Sequence, residues 1–304
     1  MHRYIIVVVS ITVLLFTLGA GGKAQLTEES GKPMCFVMTL EVQTQPDRDF
    51  EELRDAVIRV LKNRFQLLKL SPVRIAKVES NRIAVAWHRE PDLQLVTQVV
   101  TQIGLLEFRR IVAEFAPSAE FAPEPKEDEE ILLSVECQGE LQEACIHFIV
   151  KKEPLLTGAA LAKAELRRMN NPYLTPYYIA LILTDEGARQ WREAILQLQP
   201  ERDRLAIVID RIVYSAPVIA RSLFDAASRT DKINTSVITG KFTKEEAQLL
   251  TNILNSGVLP VEVKVLESGF AQSDLCPHSG GARFLALMGV VALFIVLVMI
   301  VLKR

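Results

Sequence analysis

The chain has 304 residues, 49% of them apolar, with 35 basic and 37 acidic side chains and four histidines. A formal charge of −2 without a basic excess excludes a nucleic-acid partner, which needs a cationic face. There is no glycine-rich phosphate loop, G-x-S-x-G or H-E-x-x-H, and His2, His88, His147 and His278 have no carboxylate at metal-ligand spacing. Catalytic residues, cofactors and metals are therefore not expected, and the chain does not read as an enzyme.

The chain opens with the apolar run Tyr4–Ala20, and Phe284–Leu302 lies near its other end; neither contains Asp, Glu, Lys, Arg or His. As a helix the second run spans roughly the 30 Å of a bilayer core. The first is either an uncleaved anchor or a signal peptide cut near Ala20 or Ala24. Arg3, Lys303 and Arg304 lie outside the runs, which predicts both termini in the cytoplasm and residues 21–283 outside it, on a cytoplasmic (inner) membrane. Setting those three aside leaves 32 basic residues against 37 acidic ones, a mildly acidic outer region.

Between the runs the apolar pattern alternates between periods of two and of about 3.6 residues. Phe36–Val42 reads as a strand, Asp49–Leu70 as a helix, Val73–Val78 and Ile83–Trp87 as strands, Leu93–Ile103 as a helix and Leu105–Val112 as a strand. That β-α-β-β-α-β order predicts a ferredoxin-like base over residues 34–113, closed by its last strand. Residues 114–130 repeat Glu-Phe-Ala-Pro and then become acidic, which suits a Pro-rich linker.

Residues 131–267 predict an α+β head that ends by returning to the base, followed by a linker over 268–283 and the membrane helix and tail over 284–304. Ile131–Cys137 and Cys145–Val150 form a hairpin, and Tyr177–Leu183 is a strand leading to a helix capped by Thr184. Leu205–Asp210 and Ile212–Tyr214 pair, and Pro217 makes Ser215–Ile219 an edge or bulge. Thr243-Lys244-Glu245-Glu246 is a capping box for a helix ending at Ser256–Gly257, and Val261–Leu266 is a final strand. The fold class is thus α+β, base plus head, flanked by membrane segments.

All four cysteines fall in the outer region, where disulfides persist. The hairpin offers Cys137 with Cys145, and the two membrane entry points offer Cys35 with Cys276; four unpaired thiols are the alternative.

Several runs together resemble the first periplasmic domain of the SecD subunit of the Sec protein-export machinery. They are Phe148-Ile149-Val150-Lys151-Lys152-Glu153-Pro154-Leu155-Leu156-Thr157-Gly158, Leu183-Thr184-Asp185-Glu186-Gly187-Ala188, Leu205–Asp210 with Ser215–Ile219, and Ile238–Thr243 with Glu245-Glu246-Ala247. Asn255–Pro260 continues them, and Asn63-Arg64, Asn81-Arg82-Ile83 and Leu106-Glu107-Phe108-Arg109 match the family's membrane-proximal base. Three positions depart from the pattern. Arg211 replaces the glycine implied after Asp210, so a type I′ turn there is expected to be strained. Ala220–Asn234 carries charged residues instead of a glycine-rich stretch. After Leu266-Glu267 the resemblance implies five more membrane helices, whereas this sequence continues with one apolar run.

The resemblance implies a membrane-anchored accessory of Sec-dependent export that binds or guides unfolded preprotein segments, together with the Sec channel and a SecD-SecF partner. Neither apolar run carries a proton-relaying group, so proton transport by this chain alone is not expected. An envelope scaffold or peptide-binding module derived from SecD, no longer working with the channel, is the other reading. Tyr173, Tyr177 and Tyr178, clustered beside Pro172 and Pro176, and Phe224 are the candidate polypeptide contacts, because aromatic rings offer area without charge specificity.

Overall fold

The computed structural model describes residues 33–44, 46–70, 73–78, 81–118, 123–138, 145–169 and 176–277. Both apolar runs, Tyr173 and His278 lie outside these residues. Among the described residues no helix is long and apolar enough to cross a membrane.

The base is a four-stranded antiparallel sheet covered by two helices. Its elements are β1 (Met34–Val42), α1 (Phe50–Leu67), β2 (Val73–Lys77), β3 (Arg82–Trp87) and α2 (Leu93–Thr101). Alternation in β1 sends Phe36, Met38, Leu40 and Val42 to one face, where they meet Leu53, Val57, Leu61 and Phe65 of α1 and Val96, Val99 and Val100 of α2 in a single core. The Asp49 and Asp92 carboxylates cap the two helices by accepting the Glu52 and Leu95 N–H groups at 3.1 and 3.0 Å.

The fourth strand is not the one expected. The sheet order is β13-β1-β3-β2, and β13 (Val263–Gln272) occupies the place assigned to Leu105–Val112. The strand after α2, β4 (Leu106–Phe115), leaves the base and pairs within the head. Local order could not reveal this, because both segments are apolar strands following a helix of suitable length. What separates them is their partners: Phe108 packs on Trp191 with ring centroids 5.0 Å apart, whereas Val263 joins the base core. The base is therefore closed from the far end of the chain, and the head is inserted between α2 and β13.

Within the head, β4 is joined by β5 (Glu129–Ser134), β6 (His147–Lys151), β7 (Leu156–Thr157), β10 (Leu205–Ile209) and β11 (Ile212–Ser215). Pairings run β10-β11-β5-β6-β4, and β10 also pairs with β4, so these five strands close into a small barrel, with β7 continuing along β4. Leu132, Phe148, Val150, Ala206, Val208 and Val213 fill it. The alternate residues of β10, Leu205, Ile207 and Ile209, face outward into a second core, so every residue of β10 is buried. The expected linker is shorter than 114–130: β4 runs through Phe115 and β5 starts at Glu129.

That second core lies between the barrel and a three-stranded sheet of β8 (Leu161–Arg168), β9 (Tyr177–Leu183) and β12 (Thr235–Thr239). It is filled by helices α3 (Asp185–Leu196) and α5 (Lys244–Ser256), through Trp191, Ile195, Leu250 and Leu254. Thr184 and Thr243 cap these helices, the second in a full capping box with Glu246. Gly187 is required in the first turn of α3, since a Cβ there would lie 2.5 Å from the Ala160 carbonyl oxygen. Part of the charged connection Ala220–Asn234 is helix α4 (Arg221–Arg229), which lays half-buried Leu223 and Phe224 and buried Ala227 against the same core.

Cys35 is joined to Cys276 and Cys137 to Cys145, with Cα separations of 5.5 and 4.4 Å.

Candidate functional site

Base and head meet around the side chain of Arg64, which projects from α1 and is fully buried. Its guanidinium donates to the carbonyls of Val99 at 2.7 Å, Gln102 and Ile103 at 2.9 Å after α2, and to Ser256 Oγ at 3.1 Å and the Gly257 carbonyl at 3.4 Å after α5. One planar side chain thus satisfies carbonyls left open at two helix C-termini. Burial pulls its pKa down to about 10, and the nearby Asp210 charge opposes that, so the side chain stays cationic at neutral pH.

Asp210 and Arg211 form the β10–β11 turn with φ of 51° and 68°, the positive values a type I′ turn demands. The missing glycine does not prevent the turn. The Asp210 carboxylate accepts the Gly104 N–H at 2.8 Å and the Leu105 N–H at 2.8 Å, and Arg211 reaches Glu130 at 2.6 Å. These bonds compensate the backbone strain and fix the barrel end against the segment leaving α2.

Beside this junction lies a cleft of about 710 Å³. The base contributes Gln98 from α2, Gln102 just after it and Glu262 next to β13; the head contributes Glu136, the Asp210 turn, Tyr214, Phe242 and the first turns of α5. Tyr214 and Phe242 stack with centroids 6.4 Å apart and planes inclined by 19°. Burial, reinforced by the Asp210 charge, pushes the Tyr214 phenol above its ordinary value despite a hydrogen bond with Gln102, so it stays protonated at neutral pH. Carboxylates on the walls are partly committed to structure: Glu246 Oε2 accepts the Thr243 N–H at 2.8 Å within the capping box. Stacked rings, amides and acids can hold a peptide segment by area and hydrogen bonding, and among the described lining residues none pairs a nucleophile with a base.

The aromatic residues singled out from sequence do not form one surface. Tyr177 and Phe224 are half-buried against the head core, while Tyr178, its neighbour on β9, turns to the opposite sheet face beside Arg167. None of these three lines the cleft. Tyr214 and Gln102 carried no signal of their own, whereas Phe242 lies in the run Ile238–Thr243 and Asp210 in Leu205–Asp210, two of the runs that carry the resemblance. Cys137, Cys145 and His147 place their ligand atoms within 4.8 Å of one another, but the two sulfurs are bonded together and leave no thiolate for an ion.

Residues 133–261 match the family model of the SecDF P1 head subdomain. The protein translocase subunit SecD of Desulfurispirillum indicum is 25% identical over 226 residues, covering 72% of this chain and 42% of that protein. The protein translocase subunit SecDF of Thermus thermophilus is 32% identical over 270 residues, covering 86% of this chain and 33% of that protein. The chain therefore spans well under half the length of these curated relatives. A solved structure described as that of a membrane component SecDF that enhances protein export superposes with a TM-score of 0.53 at 25% identity, over 76% of this chain and 98% of that one.

Proposed function

We propose that this chain, a SecD-type membrane-anchored protein, assists Sec-dependent protein export by holding polypeptide segments as they emerge on the outer side of the inner membrane. The observation that carries the reading is the cleft at the base–head junction, where stacked Tyr214 and Phe242 lie among amides and carboxylates of both halves. Such a lining favours a chain without regard to its exact sequence, because most of the contact is area. Tyr178, Phe224 and Tyr173 remain candidate secondary contacts.

In this reading the apolar runs Tyr4–Ala20 and Phe284–Leu302 tether the domain, with both termini cytoplasmic and residues 21–283 outside. The Sec channel and a SecD-SecF partner are its working company, and the chain itself carries out no catalysis. Neither run carries Asp, Glu, Lys, Arg or His to relay protons, so in this reading gradient coupling belongs to the partner.

The test places a photocrosslinking residue at Tyr214, at Phe224 and, as a control on the base, at Arg59, in cells holding a stalled translocating chain. Capture at Tyr214 well above Arg59, with co-purification of the channel, is expected. Equal capture at the two positions overturns the cleft, and capture without the channel favours a peptide-binding module independent of export.

A further inference from the structure

The three-stranded sheet β12-β9-β8 has two outer edges, and the molecule treats them differently. In an antiparallel ladder, alternate residues aim their backbone groups at the neighbour and the rest aim them away. The Leu183 N–H donates to the Asn234 carbonyl at 2.9 Å, and Asn234 continues the register in which Ser236 opposes Leu181 and Ile238 opposes Ile179. Positions 236 and 238 therefore bond to β9, and Thr235, Val237 and Thr239 turn their N–H and C=O groups outward.

On the other edge the outward positions are Ala164, Leu166 and Arg168; the first is closed, and the charged Arg167 and Arg168 flank the rest. Asn255 of α5 accepts the Ala164 N–H at 2.7 Å and donates to the Ala164 carbonyl at 2.8 Å, so one amide takes the place of a neighbouring strand. No hydrogen bond among the described residues reaches the outward backbone groups of Thr235 and Val237. At the far end another element approaches, where the Thr239 hydroxyl lies 3.4 Å from Ser215 Oγ.

The remaining edges carry the devices that discourage strand addition. In the base, β2 has Arg74 and Lys77, and β13 has Lys264 and Glu267 with a register irregularity opposite Thr39 and Leu40. By contrast β12 reads Thr-Ser-Val-Ile-Thr, without charge, proline or bulge, and Val237 is 44% exposed.

From this contrast we infer that the free edge of β12 accepts an extended segment of another polypeptide as an added strand. Outward groups recurring every second residue, about 6.8 Å apart, are matched by another extended backbone. The side chains flanking the seam, Thr235, Val237 and Thr239, are uncharged, so the occupant is an uncharged segment rich in small or β-branched residues. This rests on the reading that the domain meets extended chains, but it locates a contact on the sheet edge, where no residue of β12 lines the cleft.

The probe is a fluorescent eight-residue Thr/Val peptide, titrated by anisotropy against the full chain in detergent. A strand added at one edge uses only alternate amides. A peptide N-methylated at every second residue should bind like the parent, whereas one methylated at every central residue should bind at least tenfold more weakly. Val237→Pro, which removes an outward donor, and Thr235→Lys, which adds a guarding charge, should each weaken binding at least tenfold; Thr235→Lys should melt like the parent. Equal binding of all three peptides, or unchanged binding by Thr235→Lys, overturns the inference. So does a dimer that Thr235→Lys dissolves, since the edge would then serve a second copy. Loss of peptide binding in Thr235→Lys with crosslinking at Tyr214 intact supports two separate contacts. Peptide binding in a chain that captures no translocating segment supports the edge and refutes the export reading.

Discussion

The base and the head solve the same problem, covering sheets with helices, with chain of very different continuity. The head draws its barrel, its second sheet and its helices from one stretch, residues 106–256. The base takes its first strands and helices from residues 34–101 and its closing strand from 263–272, and Leu40 opposite Val265 measures how far apart these lie in sequence. A sheet that awaits its last strand until the inserted unit is in place cannot gain its full core early. Its integrity depends on the two crossings where head and base exchange chain, around Arg64 and the Asp210 turn.

The largest effect should come from the junction. Arg64→Met removes a buried guanidinium and leaves the Val99 and Gln102 carbonyls without its donors, while the Ile103 carbonyl keeps the Leu259 N–H, at a cost of about 3–5 kcal/mol. The protein has two tryptophans, Trp87 in the base and Trp191 in the head, both buried. Urea unfolding followed in Trp87→Phe and Trp191→Phe backgrounds reads each half separately, and Arg64→Met should move both transitions together. A shift confined to one half would show that Arg64 serves that half alone.

A smaller change should divide the halves. Cys35 and Cys276 staple β1 to the segment after β13 across a sequence separation of 241 residues. Replacing both with serine should cost about 2–4 kcal/mol and bring the Trp87 transition ahead of the Trp191 transition. Coincident transitions would mean that the head holds β13 in place unaided.

The smallest effect lies in the barrel. Burial works against the charge of Glu130, but Arg211 and Arg109, the latter at 2.5 Å, outweigh it and hold the carboxyl below its ordinary 4.5. A carboxylate depressed in the folded state stabilises above its unfolded pKa, and that contribution fades as pH falls through the folded value. The stability difference between the parent and Glu130→Gln should be level from pH 7 to about 5 and shrink below 4.5, by about 1 kcal/mol, because burial opposes the charge and the Arg211 partner is exposed to solvent. A difference that stays constant down to pH 3 would remove the ion pair from the account.

Sequence by itself determined the local elements. Period-two and helical patterns placed β1 to β3, α1 and α2, and threonine caps marked the helix starts at residues 185 and 244, because a cap is a bond between residues three apart. It missed β8 and β12, whose exposed faces break the apolar pattern, and α4, whose stripe of Leu223, Phe224 and Ala227 is too short to stand out. The tertiary structure alone decided which strand closes the base, that five strands close into a barrel, that Tyr214 stacks on Phe242, and that Asn255 takes up the Ala164 backbone on one edge while Thr235 and Val237 of β12 meet no such partner among the described residues. Each of these depends on pairing between residues far apart in the chain. Such pairing is chosen by the packing of whole surfaces and by which backbone groups remain to be satisfied, and no window of neighbouring residues contains that information.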